Sequence, residues 1–441
     1  MDPVVILGGG LAGLSTAVFL QRPWLLVERE ERTGGLTRTD VIHGGFHFDP
    51  TGHWLHLRDP EMVALVTGQW LPGALVTIAR RAAVFSHGVF TRFPYQVNTH
   101  GLPPEVVAEN LLGFVEATLG EAGRELRSRE PRNFEEFILR HLGTGFARNF
   151  MVPYNTKLWT VPPSRLSAAW CGRFVPKPSL REVIEGALGL GGDQLGYNAT
   201  FVYPRSGGIE ALPRALAARA RGGEIRLRTA PTAIDWRGRT VTLDSGQTQR
   251  FAALVSTIAL TELVALLARG TAGVPDAVRA AAARLRATTV TYVRVGVRGR
   301  NRQPWHWVYL PEPEFQSYRI GSPSAVHPPL APAGSCSFYV EYSHHGERTR
   351  AACEAAAAED LLRSQMIHAR EDVLFAEAVE IPHAYVLYDD AYGPAKKEVV
   401  DFLEGVGIHT AGRYGRWEYS SMEDALLAGR ACAERLNPPP G

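Results

Sequence analysis

Val4-Val5-Ile6-Leu7-Gly8-Gly9-Gly10-Leu11-Ala12-Gly13 is the stretch whose reading decides the fold. Four apolar residues in a row suit a parallel strand buried on both faces. The glycines at 8, 10 and 13 then give the spacing GxGxxG. Glycine there permits a tight turn, lets backbone approach a pyrophosphate, and lets the following helix pack on the strand. Leu11 and Ala12 stand where the loop becomes that helix, and Leu14 to Leu20 continue it. A second apolar run, Trp24 to Val27, ends at Glu28, 20 residues past Gly8. A carboxylate at that distance can take a ribose hydroxyl. Strand, glycines, helix, strand and acid in this order predict a dinucleotide-binding βαβ unit.

Outward from this unit, the chain has 441 residues, 45% of them hydrophobic and 21% charged, which excludes disorder as its dominant state. The net charge of +2 argues against a chain built to bind nucleic acid. Only four of the 47 cationic residues are lysines, a skew that reads as genome bias. Four cysteines without a CxxC pair or zinc spacing predict free thiols, no metal site and a reducing, cytoplasmic setting. No apolar stretch is long enough for a membrane span, and Met1-Asp2-Pro3 does not read as a signal peptide. Helical periodicity runs from about Pro104 to Leu190, and β-type runs recur between Val290 and Tyr342. The predicted organisation is interleaved. A discontinuous cofactor domain takes residues 1–95, 200–285 and 390–441, a helical insert 96–199, and a β-sheet substrate domain 286–389.

After Glu28 comes Thr33-Gly34-Gly35-Leu36-Thr37-Arg38. This resembles the second glycine pair of the FAD-binding oxidoreductases of the glutathione-reductase and amine-oxidase type. The resemblance implies an α/β fold: a Rossmann-type FAD-binding domain with a helical insert and an antiparallel β-sheet substrate domain. It names Gly8, Gly10, Leu11, Ala12, Gly13, Glu28, Gly34, Gly35 and Leu36 as FAD contacts.

Five further segments, in order along the chain, resemble the flavin-dependent UDP-galactopyranose mutases, in particular their eukaryotic-type branch. Phe48-Asp49-Pro50-Thr51-Gly52-His53 matches a Gly-His pair that faces the flavin ring. Phe93-Pro94-Tyr95-Gln96 resembles the stretch that sandwiches uracil, for which a flat aromatic face and a two-way amide are suited. Asn155 and Trp159 carry over from an Asn-x-Lys-x-Trp segment near the sugar and diphosphate, and Asn198 matches an asparagine near the substrate. Arg319 and Arg413 fall on the positions of two diphosphate-clamping arginines, with Tyr385 and Tyr419 beside them. Guanidinium forks form charge-assisted bonds to phosphate oxygens. Gly412 and Met422 fall beside the flavin. Phe174, Val326 and Met422-Glu423 depart from the family pattern, which leaves the transferred sugar open.

The resemblance implies an isomerase: a flavoenzyme interconverting pyranose and furanose forms of a UDP-sugar. Reduced FAD N5 would attack the anomeric carbon, and Arg319, Arg413 and His53 would form the catalytic set. It implies a nucleotide-sugar substrate and an external reductant such as NAD(P)H or a reductase. A helical insert of this kind often carries contacts between copies, so a homo-oligomer is among the expectations. The alternative is an FAD-dependent oxidase or desaturase of the amine-oxidase or protoporphyrinogen-oxidase type, which shares the FAD motifs without needing paired diphosphate arginines.

Overall fold

The computed structural model describes residues 2–191 and 199–439, apart from the side chains of Arg173 and Phe174. Five strands form a parallel sheet in the order Ile408–Thr410, Ala253–Ser256, Val4–Leu7, Trp24–Val27, Gly223–Arg226. Val4–Leu7 is central and wholly buried, as an unbroken apolar run requires. The helix Leu11–Phe19 follows at once. A Cβ on Gly13 would lie 2.0 Å from the Gly8 carbonyl oxygen, so only glycine lets the helix fold back onto the strand. The helix Met422–Leu436 packs along this first helix. Ser15 donates to the Leu426 carbonyl at 2.6 Å and Thr16 to the Gly429 carbonyl at 3.2 Å. Segments some 400 residues apart in sequence are thereby brought to one side of the sheet.

A seven-stranded sheet runs Val373–Val386, Ala287–Arg298, Ser335–His344, Arg319–Gly321, Trp307–Tyr309, Ala82–Ser86, Val89–Arg92. Its neighbours are antiparallel except at one place: Trp307–Tyr309 runs parallel to Ala82–Val84. The expected antiparallel sheet thus extends through a hairpin from far upstream. The sequence shows 82–92 as short apolar runs without a partner, because pairing across more than 200 residues leaves no local trace. The outer face, with Val293, Val295, Phe338 and Val340, packs against Cys353, Ala357 and Leu361 of the helix Arg350–Arg363.

The expected helical segment contains Pro104–Thr118, Phe134–Phe146, Val152–Trp159 and Leu180–Ala187. Phe114, Phe146 and Phe150 pack in one core with Tyr95, Trp307 and Leu14, so the helices, the seven-stranded sheet and the first βαβ unit share a single apolar interior.

Candidate active site

A cavity of about 620 Å³ lies where the parallel sheet, the helices and the seven-stranded sheet meet. Gly10, Leu11, Ala12, Gly34, Gly35, Leu36, Gly412 and Met422 form one wall. Gly34 N–H donates to the Gly9 carbonyl at 2.8 Å, and Gly10 and Gly34 form a β-bridge, so the two glycine motifs make one surface. A Cβ on Gly10 would meet no protein atom within 4 Å. It would fill the cavity beside the N-terminus of Leu11–Phe19, whose first turn carries no acid and whose cap makes no side-chain bond. Open amides at a helix start whose first turn carries no acid suit a phosphate group. Glu28 Oε2 accepts from Gly9 N–H at 2.6 Å and Oε1 from Glu30 N–H at 2.9 Å. The carboxylate braces the glycine loop and keeps acceptor capacity on both oxygens. Gly8, Gly13 and Glu28 shape this wall from behind and do not line it. These residues fit a bound FAD.

Gly52 and His53 join the same cavity. A Cβ on Gly52 would stand 2.4 Å from the Tyr339 hydroxyl and 2.8 Å from Trp54 Nε1, so the loop seats His53 only because residue 52 is glycine. Burial, with Arg413 and Arg319 acting the same way, lowers the His53 pKa to about 4. The imidazole is therefore neutral at neutral pH.

Arg319 pairs side-on with Glu341, through Nε at 2.8 Å and Nη2 at 2.7 Å. Arg413 donates to the Ser420 carbonyl at 3.1 Å and to the Ala384 carbonyl. Its guanidinium lies over the rings of Tyr385 and Tyr419, which stack at 6.1 Å. Both arginines and both tyrosines line the cavity.

Phe93 and Gln96 line it as well. Phe93 packs on Tyr309 at 4.8 Å. Gln96 is 3% exposed; its Nε2 contacts Met151 Sδ at 3.7 Å, and its Oε1 has no hydrogen-bond partner. Tyr95 is placed elsewhere. It is 0% exposed, stacks on Phe150 at 5.0 Å within the helical core, and does not line the cavity. The residues flanking it alternate toward the cavity while Tyr95 faces the helices. Asn155 and Trp159 line the cavity; Asn155 Nδ2 donates to the Met151 carbonyl at 2.7 Å, and Trp159 Nε1 is buried without a partner. Asn198 lies outside the described residues.

Of the departures from the family pattern, Met422 lines the cavity, whereas Val326 and Glu423 do not. Glu423 is buried and accepts the Arg58 and Asp59 backbone N–H groups at 2.5 and 2.8 Å. It ties the last helix to the segment after His53.

Several wall residues escaped the sequence reading: Tyr154, Tyr309, Tyr318, Tyr339, Arg80 and Glu341. Burial raises the pKa of Tyr154, Tyr309, Tyr318 and Tyr385, so these phenols stay protonated and can donate. Tyr154 adjoins Asn155 and Tyr318 adjoins Arg319, both already singled out, which was the available signal. Glu341 sits on a strand with no motif, and only its register opposite Arg319 reveals it.

The sequence model of the flavin-containing amine oxidoreductases matches residues 11–437. Among solved structures, the chain resembles a reduced UDP-galactopyranose mutase, with a TM-score of 0.89 and 24% identity over 99% of this chain and 94% of that one. It also resembles a protein from Exiguobacterium sp. assigned as a protoporphyrinogen oxidase, with a TM-score of 0.70 and 18% identity over 99% and 98% of the two chains. For cyclohexylamine oxidase from Brevibacterium oxydans the values are 0.65 and 15%, over 99% of each chain. At such identities the likeness is one of fold, and it bears out the expected α/β, amine-oxidase-like architecture.

Proposed function

This chain belongs to the flavin-containing amine oxidoreductases, and within that family of flavoenzymes we propose that it is a nucleotide-sugar mutase interconverting pyranose and furanose forms of a UDP-sugar. The observation that carries this reading is one cavity combining the glycine wall, two arginines and an unpartnered amide oxygen.

Gly10 to Ala12, Gly34 to Leu36, Gly412 and Met422 would hold FAD, with Glu28 bracing the glycine loop behind them. When bound and reduced, FAD supplies a nucleophilic nitrogen for the anomeric carbon in a reaction with no net redox change. An external reductant such as NAD(P)H or a reductase would maintain that state. The protein's part is binding and positioning. Gln96 Oε1 accepts from a pyrimidine imide N–H, and Phe93 offers a ring face. Arg413, Arg319 and the protonated phenols of Tyr154, Tyr309 and Tyr385 hold the diphosphate while it is detached, so that it is recaptured rather than lost to solvent. Neutral His53 contributes hydrogen bonding without a competing charge. Asn155 and Trp159 border the sugar.

One observation favours the oxidase alternative: Phe134, Phe150, Leu158, Trp159, Trp170 and Val175 give the cavity a broad apolar flank, which suits an apolar substrate.

Electron balance separates the two. The purified holoenzyme is incubated with UDP-galactopyranose, with and without dithionite. The mutase reading expects a furanose product only in the reduced sample, and no dioxygen consumption. A flavin spectrum unmoved by UDP, together with no product, would overturn it. Substrate-dependent dioxygen uptake would establish the oxidase.

A further inference from the structure

Arg319 and Arg413 line the same cavity, but the fold surrounds them differently. Arg319 lies directly opposite Glu341 across two antiparallel strands. Its Nε and Nη2 donate to the two oxygens of Glu341 at 2.8 and 2.7 Å, and the Tyr318 hydroxyl donates a third bond to Oε2. Glu341 is 0% exposed. A carboxylate so buried requires partners of this kind. Arg413 instead donates to two neutral carbonyls, those of Ser420 and Ala384. Among the described residues, no carboxylate pairs with it.

We propose that Glu341 is a positioning residue for anion recognition: it cancels the charge of Arg319 and fixes its fork, so that of these two arginines only Arg413 keeps its positive charge uncompensated. The proposal deepens the reading above, on which the substrate bears a diphosphate. Bidentate pairing uses one edge of the Arg319 guanidinium, and its two Nη1 hydrogens have no partner among the described residues. They serve as directional donors, while the net attraction of the two arginines comes from Arg413. A substrate should therefore seat its more charged phosphoryl group at Arg413. The two arginines, alike in sequence, would then have separate tasks: one attracts and the other aligns.

The test uses the FAD-loaded protein and inorganic pyrophosphate, followed by flavin fluorescence. Pyrophosphate has neither base nor sugar, so the result does not depend on the mutase assignment. Glu341→Gln should bind pyrophosphate at least threefold more tightly, because the Arg319 charge is released. The double variant Arg319→Met/Glu341→Gln removes the pair without changing net charge, and its affinity should stay within threefold of the wild type. Arg413→Met should lose tenfold or more. With UDP-galactopyranose, the double variant should keep its KM and lose at least tenfold in kcat, a split that a purely structural role would not produce. The proposal is overturned if the double variant loses as much pyrophosphate affinity as Arg413→Met. It is equally overturned if Glu341→Gln leaves affinity unchanged or weaker, or if the wild type binds no pyrophosphate. Should Glu341→Gln alone fail to fold, the comparison of the double variant with Arg413→Met decides. Wild-type protein that binds pyrophosphate as expected but turns over no UDP-galactopyranose refutes the mutase reading and leaves the role of Glu341 standing.

Discussion

Gln96 carries a buried carbonyl oxygen with no donor, an arrangement that costs the free protein stability. Gln96→Leu should therefore leave the melting temperature unchanged or raise it. It should weaken UDP binding by about tenfold, the effect of one lost hydrogen bond of about 1–1.5 kcal/mol. Titrating UDP against flavin fluorescence, beside a thermal melt, checks both halves. Arg413 makes a different case, because its neighbours are neutral carbonyls and phenol rings. Arg413→Ala should lower kcat by about 10²–10³-fold, the range for removing one preorganised donor from a developing charge. Steady-state assays of the dithionite-reduced enzyme measure it. Phe93 and Gln96 were legible as cavity residues because aromatic and amide groups together suit a base. Tyr95, between them, was not, since its direction is set by the helices that pack on it.

Two elements are joined by contacts that tolerate no added atom. The helices Pro104–Thr118 and Phe134–Phe146 approach so closely that a Cβ on Gly145 would stand 2.3 Å from the Glu109 carbonyl oxygen. Gly145→Ala should destabilise the chain by about 1–3 kcal/mol through overpacking, read as a lower denaturant midpoint. The last helix is tied to the cavity rim through Glu423, which accepts two backbone N–H groups. Glu423→Ala orphans both and should cost about 2 kcal/mol or more. It should also weaken FAD retention, measurable by ultrafiltration, because Met422 next to it lines the cavity. The helical periodicity of these elements could be read in advance; which of their glycines were contact points could not, because that depends on the facing helix.

At the scale of the whole molecule, buried titratable groups set how stability responds to pH. Burial lowers the pKa of His53 and His56 to about 4 and of His306 to about 3. Below the ordinary histidine value of 6.5 the unfolded chain binds more protons than the folded one, so these groups cost stability as pH falls from 6.5 through 4. Asp49 acts in the opposite sense. Burial raises its pKa to about 7, so its contribution is greatest in acid and is lost as pH rises from the ordinary carboxylate range through 7. Together these histidines outweigh Asp49, and the melting temperature should fall between pH 6.5 and 4. Asp49→Asn removes the opposing trend and should steepen that fall, which scanning calorimetry across the interval tests.

By itself, the sequence determined the nucleotide-binding architecture. A buried strand, three glycines at fixed spacing and an acid at the end of the next strand are local constraints, and Val4 to Glu28 contains all of them. It also pointed to part of the cavity wall, since glycine, arginine and aromatic residues are chosen for the chemistry they face. Only the tertiary structure decided how those residues share the work. Tyr95 turns into the helical core, Glu423 into a loop, and one edge of Arg319 onto Glu341. The hairpin 82–92 finds its strand 225 residues downstream. The physical reason is the same in each case: a side chain's direction and charge partner come from packing against distant segments, and residue type and spacing do not encode them.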